Sequence, residues 1–257
     1  MNDGGHPPSL FAIDTSGRAV ASARVIGVQN HDWEDLASFR RNGISYLLIA
    51  DVGDNGRQAD RYTLYIVEEP EVKAPTAALP AIRPRGTIRF QYEDGPRDCE
   101  SVAVAPDLNR VFLISKRDDP PALYALDLIP RRRRTHVLAE RITGIRNLPR
   151  PQLEEIAARP VLALVGGKPT AMDIAPDGLS ALVLTYQEVY LYARKPRESW
   201  SAAFAREPFS LGLDRLAQAE AACFSNDGES VFITTEKIPA PLARISLKDK
   251  SPAFIHD

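Results

Sequence analysis

One layout recurs four times along this chain of 257 residues, and no other feature restricts the fold as strongly. Each copy opens on a polar or acidic start, enters a short apolar strand, turns, and continues into a second apolar strand. The first copy starts at Trp33-Glu34-Asp35-Leu36-Ala37 and runs to Asp51. The second starts at Asp98-Cys99-Glu100-Ser101-Val102 and runs to Lys116. The third starts at Thr170-Ala171-Met172-Asp173-Ile174 and runs to Tyr186, and the fourth starts at Ala219-Glu220-Ala221-Ala222-Cys223 and runs to Glu236. A third strand follows in each, centred on Leu64-Tyr65-Ile66, Leu123-Tyr124-Ala125-Leu126, Val189-Tyr190-Leu191-Tyr192 and Leu242–Ile245. Units of this kind bury their apolar faces only by stacking on one another. Short strands repeating at intervals of roughly 40–70 residues predict an all-β chain folded as a β-propeller. A β-sandwich with accidental internal similarity is the competing reading.

The register of the repeats predicts five blades with an incomplete first one: a partial blade over 1–30, blades over 31–94, 95–142, 169–213 and 214–257, all in a single domain. Ser9–Ile13 and Ala19–Ile26 read as the third and fourth strands of the partial blade, and Pro252–Ile255 as an outer strand of the last. Residues 143–168 form the one insertion. Within it, Gln152-Leu153-Glu154-Glu155-Ile156-Ala157-Ala158 joins good helix formers to a proline start, which predicts one short helix. The turns Pro176-Asp177-Gly178 and Asn226-Asp227-Gly228 suit the first hairpin of a blade.

Composition removes several function classes. Apolar residues at 44% and charged residues at 26% exclude a disordered chain. A net charge of -2 offers no basic surface for nucleic acid. Pro160–Gly167, the longest uncharged apolar stretch, is too short to span a bilayer. Two cysteines, Cys99 and Cys223, support neither a disulfide framework nor a cysteine zinc site, and both are expected to be buried and inert. The histidines His6, His31, His136 and His256 form no metal-spaced pair, and Arg131 to Arg134 reads as a solvated hairpin tip.

In a propeller, the start of strand one and the turn between strands two and three open on one face. That register gathers Asn2 and Asp3, Glu34, Asp35, Asp51, Asp54, Asn55, Arg57, Arg61, Asp98, Glu100, Lys116, Arg117, Tyr186, Glu220, Glu236 and Lys237. The candidate ligand-binding residues among them are Asp54, Asn55, Arg57, Lys116, Arg117, Tyr186 and Glu236. Glu34, Glu100 and Glu220 occupy the equivalent position of three inner strands; the fourth has Thr170 there and Asp173 three residues on. Converging carboxylates repel one another and need a cation, basic partners or protonation. A hard cation such as calcium is bound by six to eight oxygens, so Glu34, Glu100, Asp173 and Glu220 are the metal candidates. Neutralisation by Arg57, Arg61, Lys116 and Arg117 is the structural alternative. Asp51-Val52-Gly53-Asp54-Asn55-Gly56-Arg57 is either an elaborate turn or a presentation of Asp54, Asn55 and Arg57 to a ligand.

At Asn30–Ala37, Asp51–Asn55, Glu68-Glu69-Pro70, Gly95–Glu100, Ser115-Lys116-Arg117, Met172–Gly178 and Thr235-Glu236, the sequence resembles a family of uncharacterised bacterial β-propeller proteins. Members usually begin earlier, with a signal peptide and a strand ending in Asn-Asp-Gly, and Asn2-Asp3-Gly4 looks like that motif. The resemblance implies a chain truncated at its start and a periplasmic or secreted location if the missing part carries the signal. It implies no known reaction. More distantly, the layout is similar to esterase-like phytases and to the gluconolactonase and regucalcin group, which hold a divalent cation with acidic channel residues. Three functions follow as expectations: a monomeric propeller binding a small molecule or ion on its polar face, a metal-dependent phosphoester or lactone hydrolase, or a protein-interaction scaffold.

Overall fold

The computed structural model describes residues 1, 4–75, 78–129, 137–212, 216, 218–236 and 240–248. Asn2, Asp3, Arg131 to Arg134, His136, Lys237, Pro252–Ile255 and His256 lie outside the described residues, and with them the expected hairpin tip and last outer strand.

Strands dominate, and they follow one another as antiparallel meanders. β1 (Ser9–Ile13) and β2 (Ala19–Arg24) pair as a hairpin. The next meander is β3 (Trp33–Arg41), β4 (Ile44–Asp51), β5 (Tyr62–Glu68) and β6 (Gly86–Tyr92). It is followed by β7 (Cys99–Ala105), β8 (Arg110–Ser115), β9 (Ala122–Asp127) and β10 (Val137–Gly144). The outer strands β6 and β10 pair in parallel, so one sheet runs β3-β4-β5-β6-β10-β9-β8-β7. Then come β11 (Pro169–Ile174), β12 (Ser180–Thr185), β13 (Val189–Ala193) and β14 (Phe209–Ser210). The last meander has three described strands, β15 (Ala219–Phe224), β16 (Ser230–Thr235) and β17 (Ala243–Ser246). First strands of successive meanders pack on each other, β3 against β7 and β11 against β15. Sequential four-stranded meanders stacked through their first strands are propeller blades, and the chain is an all-β protein of the β-propeller class.

The chain divides into two compact units, residues 1–112 with 124–141, and residues 113–123 with 142–257. The first has a core of Leu10, Val25, Trp33, Ile49, Tyr65 and Val67. The second has one around Leu182, Leu184, Val189, Leu191, Val231 and Ile233. Aliphatic side chains of this kind contribute about 1.5–3 kcal/mol each when fully buried.

The repeat is visible in the backbone register. β3 carries a bulge between Trp33 and Asp35, β11 between Pro169 and Ala171, and β15 between Ala219 and Ala221. The extra residue is therefore Glu34, Thr170 and Glu220, three of the four positions that the sequence repeat aligns. A bulge re-aims its side chain and bends the strand. The first hairpins repeat as well. Gly178 at φ 70° and Gly228 at φ 71° close matching turns, in which Asp177 Oδ1 accepts from Leu179 N–H and Asp227 Oδ1 from Glu229 N–H. Glycine takes that left-handed conformation without a Cβ penalty.

The insertion is helical, but it holds two short helices, α1 (Leu153–Ala158) and α2 (Leu162–Val165), where the sequence reading placed one. Gln152 and Glu155 form a capping box at the start of α1. The break comes at Arg159, which is extended at φ -151° and ψ 86°, because Pro160 disfavours a helical residue before it. A further short helix, α3 (Trp200–Ala203), was not anticipated. Its signal is Ser199, whose Oγ accepts from Ala202 N–H as an N-cap. Among the described residues no helix is long and apolar enough to cross a membrane.

One burial expectation fails. Cys99 is fully buried on β7, but Cys223 is exposed, because Ala221 and Cys223 lie two residues apart on an open face of β15. Burial pushes the Cys99 thiol up to about 12. Brief treatment of the folded protein with iodoacetamide should therefore alkylate Cys223 and leave Cys99 unmodified until denaturant is added. Mass spectrometry of the digested peptides reads this directly, and equal labelling of the two would contradict the burial pattern.

Candidate functional site

In the first unit the predicted residues 51–57 form a braced turn. Asp54 accepts from Gln58 N–H and Ala59 N–H, each at 2.9 Å, and from the Tyr62 hydroxyl at 2.8 Å. Burial pushes the Asp54 carboxyl up, but these bonds outweigh it and hold the group below its ordinary value. Arg57 closes the turn at φ 51°, its N–H donating to Asp54 O. Asn55 and Arg57 are exposed. Asp54 N–H donates to the fully buried Asp98, which ties the turn to the start of β7.

Asp51 organises the entry to β3. Its Oδ1 accepts from Asp32 N–H at 2.8 Å, and its Oδ2 lies 3.1 Å from His31 Nδ1. Asp32, which the sequence reading did not single out as a site residue, packs its carboxylate against Gly53 beside that of Glu34. A Cβ at position 53 would overlap both groups. Gly53→Ala should lower stability by about 1–3 kcal/mol, read as a fall in urea midpoint, because two carboxylates would have to shift together. A midpoint equal to wild type would show that the turn yields freely.

Two inner-strand carboxylates act as staples between blades. Asp35 Oδ1 accepts from Leu36 N–H at 2.8 Å, and Oδ2 accepts from Val102 N–H on β7 at 2.6 Å. Asp173 does the same one blade pair later, with Ile174 N–H at 2.8 Å and Phe224 N–H on β15 at 2.9 Å. Asp173, a metal candidate from sequence, thus has both oxygens engaged by backbone. Burial pushes its carboxyl up to about 7, against the pull of the two N–H groups. Among the described residues no group of three or more His, Cys, Asp or Glu side chains is arranged to hold a metal ion. Of the other metal candidates, Glu34 and Glu100 belong to the first unit and Glu220 to the second. Glu100 is buried on β7, where every residue is buried.

The second unit brings Lys116, Tyr186, Glu220 and Glu236 together. Lys116 follows β8, is only 9% exposed, and donates from Nζ to the Tyr186 hydroxyl at 3.0 Å. Its ammonium also lies 5.1 Å from the centre of the Tyr186 ring, within cation–π range. The Tyr186 hydroxyl donates to Glu220 Oε1 at 2.9 Å. Burial raises the Glu220 carboxyl; Tyr186 and Lys116 hold it down, while Glu236 beside it raises it further. The result is a lysine, a phenol and a pair of carboxylates joined in one polar chain, with a carboxyl that keeps its proton to a higher pH than usual.

Lys116 also lines a cleft of about 280 Å³. One side is the connection from β8 to β9, with Arg117, Asp118, Asp119 and Pro121. The other is the helical insertion and its flanks, including Arg150, Ile156, Gly166, Gly167 and Lys168. Arg150 pairs with Asp119 across the opening. α1 is anchored to the Tyr186 turn, since Gln187 Nε2 donates to both oxygens of Glu155 at 2.9 Å. Of the cleft residues, sequence reasoning named Lys116 and Arg117. It missed Arg150 and Lys168, whose signals are an Arg-Pro step just ahead of α1 and a Gly-Gly-Lys step just after α2.

No protein-family profile matches the chain, and no curated protein matches it. Among solved structures, it is similar to a putative 6-phosphogluconolactonase from Bacteroides uniformis, at 13% identity over 97% of this chain and 64% of that one, TM-score 0.45. It is also similar to a gluconolactonase from Xanthomonas campestris, at 12% identity over 91% of this chain and 64% of that one, TM-score 0.45. A third is a β-propeller domain from Myceliophteria thermophila, at 13% identity over 96% of this chain and 74% of that one, TM-score 0.44. The chain thus spans 64% of the length of each of the two lactonase structures.

Proposed function

We propose that this protein is a small-molecule-binding β-propeller whose ligand sits in the cleft beside Lys116. The observation that carries the reading is the nearly buried Lys116 ammonium, held in place by Tyr186 and Glu220 while lining a concave, partly apolar opening. Fixed polar groups converging on an apolar concavity are how small-ligand sites orient what they bind. Fragment screening by backbone amide shifts tests it. Binders should move Lys116, Arg117, Gly166, Gly167 and Tyr186 together, and Tyr186→Phe should weaken them by freeing Lys116 from its hydroxyl partner. Binders that all map elsewhere would sink the reading.

Hydrolysis of a lactone or phosphoester is the second reading, supported by the raised proton affinity of Glu220 beside a phenol and a lysine. A carboxyl whose proton affinity burial has raised is suited to general acid–base work. Turnover in an ester and lactone panel, lost in Glu220→Gln, would favour it over binding alone. Calcium binding is tested by thermal melting: a rise in Tm with calcium that Glu100→Ala abolishes would support a site at Glu100.

A further inference from the structure

Resting on the cleft as the ligand site, the geometry points to the class of its ligand: a compact molecule with one anionic head, phosphate or carboxylate, on a partly apolar body. Charge is the first argument. Lys116, Arg117, Arg150 and Lys168 line the cleft against Asp118 and Asp119, a local net charge of +2 in a chain whose total is -2. A concave low-dielectric wall focuses such an excess on whatever enters. Two of the four cations are arginines, whose planar forks match carboxylate and phosphate oxygens in pairs. The Arg150 fork is already engaged by the Asp119 carboxylate at the rim, so the excess of charge over that pair rests on Lys116, Arg117 and Lys168 against Asp118.

Shape and lining supply the rest. Pro151, Ile156, Leu164 and Val165 form an apolar wall beside the cations, which suits a body with an apolar face more than a bare inorganic ion. Gly166 and Gly167 continue the lining beyond that wall. The volume of about 280 Å³ lies at the lower limit of ordinary ligand pockets, roughly 300–1,000 Å³, so a single-ring molecule fits and a nucleotide does not.

Calorimetric titration of the full chain at low salt, with phenyl phosphate, benzoate, phenol and benzylammonium as probes, tests the class. Phenyl phosphate and benzoate should bind, with phenol and benzylammonium weaker by at least about tenfold, because only the anions meet the charged wall. The tighter of the two anions identifies the head group. Added salt should weaken both, and Arg117→Met and Lys168→Met should each weaken them about fivefold or more, measured where thermal melting shows each variant folded. Anion binding that survives both substitutions would overturn the assignment. So would phenol or benzylammonium binding as tightly as the anions while shifting the cleft amides, a result that leaves the cleft as a ligand site and removes only the anionic class. If no probe or fragment perturbs the cleft amides, both this inference and the binding reading fall.

Discussion

Asp35→Ala should cost about 3 kcal/mol of unfolding free energy. Asp35 is 9% exposed and joins two blades through one carboxylate, bonded to Leu36 N–H on its own strand and Val102 N–H on β7. Val102 is fully buried, so its N–H finds no water when the acceptor is removed. A hydrogen bond contributes about 0.5–1.5 kcal/mol, and an orphaned buried donor adds a desolvation cost of about 1–3 kcal/mol. Asp35→Asn keeps one acceptor but faces the other donor with its own amide, so about half the effect remains. Urea unfolding of both variants measures this. Losses below about 1 kcal/mol in both would mean that β3 and β7 are held by packing alone.

The repeats were legible because their signals are local. Strand ends, the Asp-Gly turns and the bulge residues Glu34, Thr170 and Glu220 are each set by a few neighbouring side chains, and the register puts a bulge at these three of the four aligned positions. The staples were not legible. Asp35 and Asp173 look like channel carboxylates in sequence, yet each accepts from one backbone N–H on its own strand and one on the next blade. No side-chain pattern advertises a backbone donor. The cleft was half legible for a related reason: Lys116 and Arg117 lie in a repeat, whereas Arg150 and Lys168 lie in an insertion that has no counterpart against which to align it. Cys223 departs from the expected burial because β15 leaves Ala221 and Cys223 open, whereas every residue of β7 is buried.

Asp173 gives the protein a pH dependence of unusual sign for a carboxylate. In the folded state its carboxyl titrates at about 7, because burial penalises the charge more than two N–H donors relieve it; the ordinary value is 3.8. The folded protein therefore holds a proton, between those two values, that the unfolded chain has released. Stability from this group is complete below about pH 4, falls as pH rises toward 7, and is level above that. A separation of about three units corresponds to at most about 4 kcal/mol. Glu220, also raised, acts in the same direction, whereas Asp54, whose carboxyl is lowered, completes its contribution before this window opens. Asp173→Asn removes the titration and keeps one acceptor, so it should lose stability at pH 5 and recover relative to wild type at pH 8. The difference between the two unfolding curves isolates the residue from every other titrating group. Its change from pH 5 to pH 8 should be about 2–4 kcal/mol in favour of the variant. Parallel curves would place the Asp173 carboxylate in an environment polar enough to keep it charged throughout, and the staple would then be an ionic acceptor holding Phe224 N–H at every working pH.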